Sequence, residues 1–235
     1  MRYAIYFVPP MNDPLNRVAT NWLGRDVFSG RSVEAPAITG LSPAEIAFHT
    51  AAPRRYGFHG TLKSPFRLAD GCTEKGLLDA LMRFADTVDP FEIPRLAIGS
   101  IGPFFALLPQ TPVAELSALA ASVVREFDTF RAPLSDTEIE RRSPHKLTAP
   151  QLAYLHRWGY PYVFDEFRFH MTLTGPIDRA ERERVEQALH MFFDPVLSEP
   201  VEVENVALFI EEEAGAPFEV HSLHPLGRVD RRQSA

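Results

Sequence analysis

The chain has 235 residues, 45% hydrophobic and 11% aromatic, enough apolar material for one large domain or two small ones. Lys and Arg number 24 against 31 Asp and Glu, a formal charge of -7, so no overall basic field gathers nucleic-acid phosphates and any anion site has to be a local pocket. The single cysteine, Cys72, excludes an intramolecular disulfide and a cysteine-rich zinc site and fits a reducing cytoplasm, while the apolar run in "MRYAIYFVPP" is too short for a signal peptide or a membrane span.

Tyr3 to Val8 reads as a first strand stopped by Pro9 and Pro10, and Leu15 to Leu23 as a short helix. The stretch 24–53 is loop-like, except that Ser42, Pro43 and Glu45 form a capping-box pattern predicting a helix to about His49. "FHGTLKSPF" is a strand, followed by a helix whose apolar positions run from Leu77 to Val88 at three- and four-residue steps. Strands are predicted over Phe91 to Gly99 and Phe104 to Leu108, then an amphipathic helix opened by Thr111 and Pro112. The segment 132–164 is irregular, with cap patterns at Ser135 and Thr148 and an aromatic group, Trp158, Tyr160 and Tyr162, of a kind that more often packs under a loop than stacks on a ligand or closes over a cleft. A strand from Phe167 to Gly175, a helix from Arg179 to about Phe193, and strands over Val201 to Glu211 and Phe218 to Leu223 complete the pattern.

Strand, helix, strand, helix, strand thus occurs twice. The expectation is an α+β chain forming one bilobal domain over 1–235: two ferredoxin-like split βαβ lobes, about 1–100 and about 101–226, related by a pseudo-twofold around a central cleft, with a frayed tail over 227–235.

The middle strand of each half carries the same tetrad, "HGTL" from His59 and "HMTL" from His170. One H-x-T triplet means nothing; two, each followed by leucine and each in the matching strand of its half, are informative. Residues two apart share a strand face about 6 to 7 Å apart, giving one row of His59, Thr61 and Lys63 and another of His170, Thr172 and Thr174. Facing each other, the rows suit in-line attack at a phosphodiester: a neutral imidazole takes a proton from the nucleophile and a protonated one delivers a proton to the leaving oxygen. Thr61 and Thr172 would donate to phosphoryl oxygens, with Lys63 or Arg168 offsetting charge and Arg55, on the parity of His59, reaching a second phosphate. Two histidines with no carboxylate on either row are a poor ligand set, so neither metal nor cofactor is expected.

The paired tetrads resemble the 2H phosphoesterase superfamily of cyclic nucleotide phosphodiesterases and RNA end-processing enzymes. "RYGFHGTLKSPFRL" and "RWGYPYVFDEFRFHMTLTGPI" resemble, more narrowly, a bacterial family of unknown function whose genes lie among phosphonate-utilisation genes. That resemblance implies a bilobal fold, metal-independent phosphoester chemistry, His59 and His170 as acid and base, and Thr61 and Thr172 as phosphate ligands; with the duplicated motif, the expectation is a cytoplasmic phosphodiesterase acting on a small, cyclic phosphate ester. The resemblance does not give the substrate; gene context, rather than any residue, offers a phosphoribosyl cyclic phosphate as the candidate. The alternative is a binding module that holds a phosphorylated small molecule or RNA end without turning it over.

Overall fold

The computed structural model describes residues 1–227; of the expected frayed tail only Gly227 falls within them. Strand β1 (Arg2–Phe7) is buried on both faces. Tyr3, Ile5 and Phe7 enter the main core, while Ala4, Tyr6 and Val8 join a smaller cluster with Val27, Ala207, Phe209 and Phe218 on the opposite face. Helix α1 (Pro14–Leu23) starts where Asp13 accepts from the Leu15 and Asn16 amides and stops at Gly24, whose φ of 72° is left-handed.

Helix α2 (Pro43–Arg54) opens on the predicted Ser42–Glu45 capping box but runs beyond His49. Pro53 has no N–H to give the His49 carbonyl, which accepts instead from the Gly175 amide at 2.7 Å. The added helical turn thereby ties α2 to the chain just after the second motif.

Then follow β2 (Gly60–Phe66), α3 (Glu74–Ala85), β3 (Phe91–Ile93), β4 (Leu96–Ile101), β5 (Phe104–Pro109), α4 (Ala114–Glu126), α5 (Asp136–Glu140) and α6 (Ala149–Trp158). The chain ends with β6 (Met171–Thr172), α7 (Arg182–Phe193), β7 (Val201–Val203), β8 (Asn205–Glu211) and β9 (Glu219–Pro225). Pro94 separates β3 from β4, and Glu204 separates β7 from β8, so two predicted strands are each divided.

The fold is α+β. Seven strands form one antiparallel sheet in the order β4-β5-β6-β2-β1-β8-β9, and β3 pairs with β7 in a separate ribbon. Exchanging β1 with β5, β2 with β6 and β4 with β8 maps this order onto itself about the β6–β2 junction, apart from the extra β9. The halves do not keep to themselves as a lobe boundary near residue 100 expects. Strand β4 leaves the first half to pair with β5, and β8 leaves the second to pair with β1. The crossing of these third strands, pinned by the β3–β7 ribbon, joins what would be two sheets into one.

The second motif strand is shorter than the predicted Phe167–Gly175 because its backbone groups find other partners. The Leu173 and Thr174 amides both donate to the Phe105 carbonyl, the Leu173 carbonyl accepts from the Trp22 indole at 2.8 Å, and Gly175 is taken by His49. The parity still holds: Phe169, Met171 and Leu173 lie in the main core with residues of α1, α3, α4 and α7, leaving the opposite face of the sheet for the motifs. Among the described residues no helix is long and apolar enough to cross a membrane.

At the junction Gly60 stands opposite Met171, and a Cβ on Gly60 would meet the Phe169 ring at 2.5 and 2.7 Å. Gly60→Ala should therefore overpack the junction and lower the unfolding free energy by roughly 1–3 kcal/mol, measured by urea denaturation.

Candidate active site

The Gly60–Met171 pair fixes the arrangement of both motifs. Continuing that antiparallel register one residue each way sets His59 opposite Thr172 and Thr61 opposite His170, all on the face away from the core. The four side chains form a square with histidines on one diagonal and threonines on the other. Diagonal neighbours across an antiparallel pair are roughly 7–8 Å apart, so both imidazoles can flank one phosphoryl group. Two adjoining cavities confirm the facing: His59, Thr61 and Thr172 line one of about 810 Å³, Thr61 and His170 line one of about 410 Å³, and Thr61 and Tyr160 border both.

Each imidazole is braced in the same way. His59 Nδ1 donates to the carbonyl of Gly57 at 2.9 Å and His170 Nδ1 to that of Arg168 at 2.8 Å, in both cases two residues earlier. A carbonyl only accepts, so the hydrogen sits on Nδ1 and the Nε2 lone pair is left for chemistry. In His59 it accepts from the Thr61 hydroxyl at 3.1 Å. Gly57 holds its carbonyl in place with φ of 73°, where a Cβ would collide with Val27.

Surroundings separate the two. His59 is stacked on the buried Tyr6 ring, centroids 3.8 Å apart, and burial pushes its pKa down from 6.5 to about 4, with the proximity of His170 adding to the fall. His170, near Phe104, is also lowered by burial, partly offset by its bond to the Arg168 carbonyl. Burial raises the Tyr6 and Tyr160 phenols, so both remain donors.

Not every residue of the predicted rows reaches the cleft. The register of β2 against β1 shifts between Thr61 and Lys63, a bulge that breaks the two-residue alternation. Lys63 is turned away and buried, donating to the Val124 carbonyl at 3.3 Å with Asp128 at 3.5 Å, and Ser64 lines the larger cavity instead. Thr174 is also structural: its buried hydroxyl accepts from the Phe105 amide at 3.0 Å and donates to the Gly175 carbonyl. Arg55 does line the larger cavity, but it shares the buried Glu211 carboxylate with Arg2. Burial raises the Glu211 pKa, and hydrogen bonds from Arg2, Arg55 and the Gly215 amide more than offset this, so it lies below the ordinary value. Arg168 lines the smaller cavity with Tyr160 and Tyr162, whereas Trp158 packs against Phe164.

Outside the motif rows, the larger cavity is also lined by Tyr6, whose even parity in "YAIYF" is a usable signal, and by Arg141 and Arg142 just after α5. Among the described residues no three His, Cys, Asp or Glu side chains are gathered where they could hold a metal.

Residues 61–219 match the family model described as a protein of unknown function, DUF1045. The chain belongs to this family. It is similar to two curated proteins called ribose 1,5-bisphosphate phosphokinase PhnN. The one from Janthinobacterium sp. (strain Marseille) is 36% identical over 221 residues, 92% of this chain and 49% of the relative. The other, from Laribacter hongkongensis (strain HLHK9), is 36% identical over 220 residues, 93% of this chain and 50% of the relative. This DUF1045 chain thus spans about half the length of the curated relatives it matches. Among solved structures, one described as a phosphoesterase aligns at TM-score 0.44 and 13% identity over 97% of this chain and 99% of its own. E. coli LigT complexed with 3'-AMP aligns at 0.42 and 12%, over 97% and 98%.

The depressed His59 pKa has a stability consequence. Between pH 6.5 and about 4 the unfolded chain holds a proton that folded His59 refuses, so the unfolded state binds more protons and stability rises with pH across that window. The contribution, on the order of 3 kcal/mol, is complete above the unfolded value and is lost as pH falls toward the folded one. His170 and His224 shift in the same direction and steepen the decline. His59→Gln should flatten part of it in urea titrations between pH 7 and 4; a variant curve parallel to wild type would contradict the assignment.

Proposed function

We propose that the chain is a metal-independent phosphodiester hydrolase of the 2H type, acting on a small cyclic phosphate ester through His59 and His170. One observation carries the reading: the register at Gly60–Met171 sets two braced imidazoles and two hydroxyls around the space of one phosphoryl group.

His59, with its pKa near 4, is neutral at physiological pH and is the base. His170, less strongly displaced, gains a proton when a phosphate anion arrives, since a nearby negative charge favours imidazolium, and is the acid. Attack by water on phosphorus forms one P–O bond as the ring P–O bond breaks. The water proton passes to His59 Nε2, and the His170 Nε2 proton goes to the departing oxygen. Thr61 and Thr172 donate to the non-bridging oxygens, and Arg168 offsets charge from the smaller cavity. The relatives' name, with its ribose 1,5-bisphosphate, supports a ribose phosphate as the ring, a phosphoribosyl cyclic phosphate being the specific candidate.

Positioned acid or base catalysis contributes about 100- to 10,000-fold, so His59→Ala and His170→Ala should each lower kcat by that order with ribose 1,2-cyclic phosphate or nucleoside 2',3'-cyclic phosphates, followed by phosphorus NMR. Chelator should leave the rate unchanged. Saturable binding without product would assign the cleft to a binding module instead.

The pH profile of kcat/KM should be a bell with an acid limb near 4 and an alkaline limb below 6.5, apparent values belonging to the pair. A profile flat from pH 4 to 8 would remove the acid-base assignment.

A further inference from the structure

Four motif side chains suffice for one phosphoryl group, yet the larger cavity also holds five arginines, Arg2, Arg55, Arg67, Arg141 and Arg142, against two carboxylates, Glu138 and Glu211. Three positive charges are left in excess in a chain whose formal charge is -7. Glu211 is shared by Arg2 and Arg55, and Glu138 pairs with Arg67 at 3.0 Å, its pKa held down at about 2 by that bond first of all. Arg141 and Arg142 have no ion pair among the described residues.

Their position is built rather than incidental. The Ala132 amide donates to the Arg67 carbonyl at 2.8 Å, the Ser135–Glu138 capping box starts α5, and the Arg67–Glu138 pair docks that helix on the chain following β2. The turn after α5 then carries Arg141 and Arg142 to the cavity wall. Arg142 lies 4.9 Å from the centroid of the Tyr160 ring, the ring that borders both cavities, so it stands where the basin joins the central site.

We infer that this arginine basin is a second anion subsite, which takes a terminal phosphomonoester of the substrate while the diester lies between His59 and His170. The inference rests on the phosphoesterase reading and narrows its substrate class to small phosphodiesters carrying an additional phosphate. A monoester dianion accepts from two guanidiniums, each able to bind in a two-pronged fashion, which suits a site with uncompensated charge on adjacent arginines. The smaller cavity, lined by Ile101, Phe104, Tyr162 and Phe167, has one arginine, Arg168, against one carboxylate, Glu166, and suits the uncharged part of the substrate. An excess of arginines over carboxylates in the larger cavity alone argues against a nucleic-acid strand, whose phosphates would continue in both directions.

The test compares kcat/KM of the full chain for adenosine 2',3'-cyclic phosphate and for its 5'-phosphorylated counterpart, in wild type and in Arg141→Gln/Arg142→Gln. The added phosphate should raise kcat/KM about 10- to 100-fold in wild type, the range of one or two charge-assisted hydrogen bonds, and the ratio should fall toward one in the variant. The ratio compares two ligands on one protein, so partial loss of folding cancels. A wild-type ratio near one would overturn the subsite, as would an unchanged ratio in the variant. An equal or larger gain from a dinucleotide ending in a 2',3'-cyclic phosphate would show that the basin reads a diester backbone and overturn the monoester assignment. If neither compound is turned over, the hydrolase reading fails by itself, and calorimetric titration of the two compounds decides the subsite by the same ratio in Kd.

Discussion

A single cross-strand pair, Gly60 against Met171, sets where the four histidine and threonine side chains of the two motifs stand. Side chains in a strand alternate with a period of two, so a slip of one residue would exchange the faces of either motif. It would drive Phe169, Met171 and Leu173 into the cleft and the histidine and threonines into the core. Each such apolar side chain contributes about 1.5–3 kcal/mol by being buried, so core packing forbids the slip far more firmly than any contact between the motif residues could. Phe169 completes the lock by occupying the space beneath Gly60 that a side chain there would need. The site geometry is therefore a consequence of hydrophobic register, and the polar residues inherit it.

The register sets positions, and the backbone sets protonation. In both motifs a carbonyl two residues before the histidine accepts the Nδ1 hydrogen, so both rings present the same nitrogen to the cleft. Symmetry ends with the packing around them. His59 lies on Tyr6 within an aromatic cluster that includes Phe209 and Phe218, and its charged form is correspondingly disfavoured. Two equivalent braces in unequal surroundings give two imidazoles of unequal basicity, which a division into acid and base requires.

Much of this was legible in the sequence, because it is carried by periodicity. The alternation in "FRFHMTLTG" separates Phe169, Met171 and Leu173 in the core from Arg168, His170 and Thr172 at the cavities but not Phe167 and Thr174 at its ends, and the duplication of H-x-T in matching strands picks out the four central side chains. What the sequence concealed depends on pairing between distant segments. The bulge that turns Lys63 out of its row arises from the register of β2 against β1, and no local pattern around "TLKSP" marks it. Thr174 looks identical to a phosphate ligand until its hydroxyl is found to accept from the Phe105 amide, far off in the sequence. The exchange of β4 and β8 between the halves, and the burial of Glu211 between two arginines, are likewise long-range facts. Pro94, by contrast, is a local signal for the break between β3 and β4.

The departures from twofold symmetry lie in the connections between paired strands. Between β1 and β2 the chain sends Val27 beneath the Tyr6 cluster, which deepens the burial around His59. Between β5 and β6 it sends the turn after α5, with Arg141 and Arg142, and then Tyr160 and Tyr162 to the walls of the two cavities. A strictly symmetric frame would hold a phosphoryl group equally well in either direction, and a diester has two unlike ends. For the diester proposed above, charge collected on the His59 side and aromatic surface on the His170 side would remove that degeneracy, so the connections would supply the direction that the duplicated strands cannot.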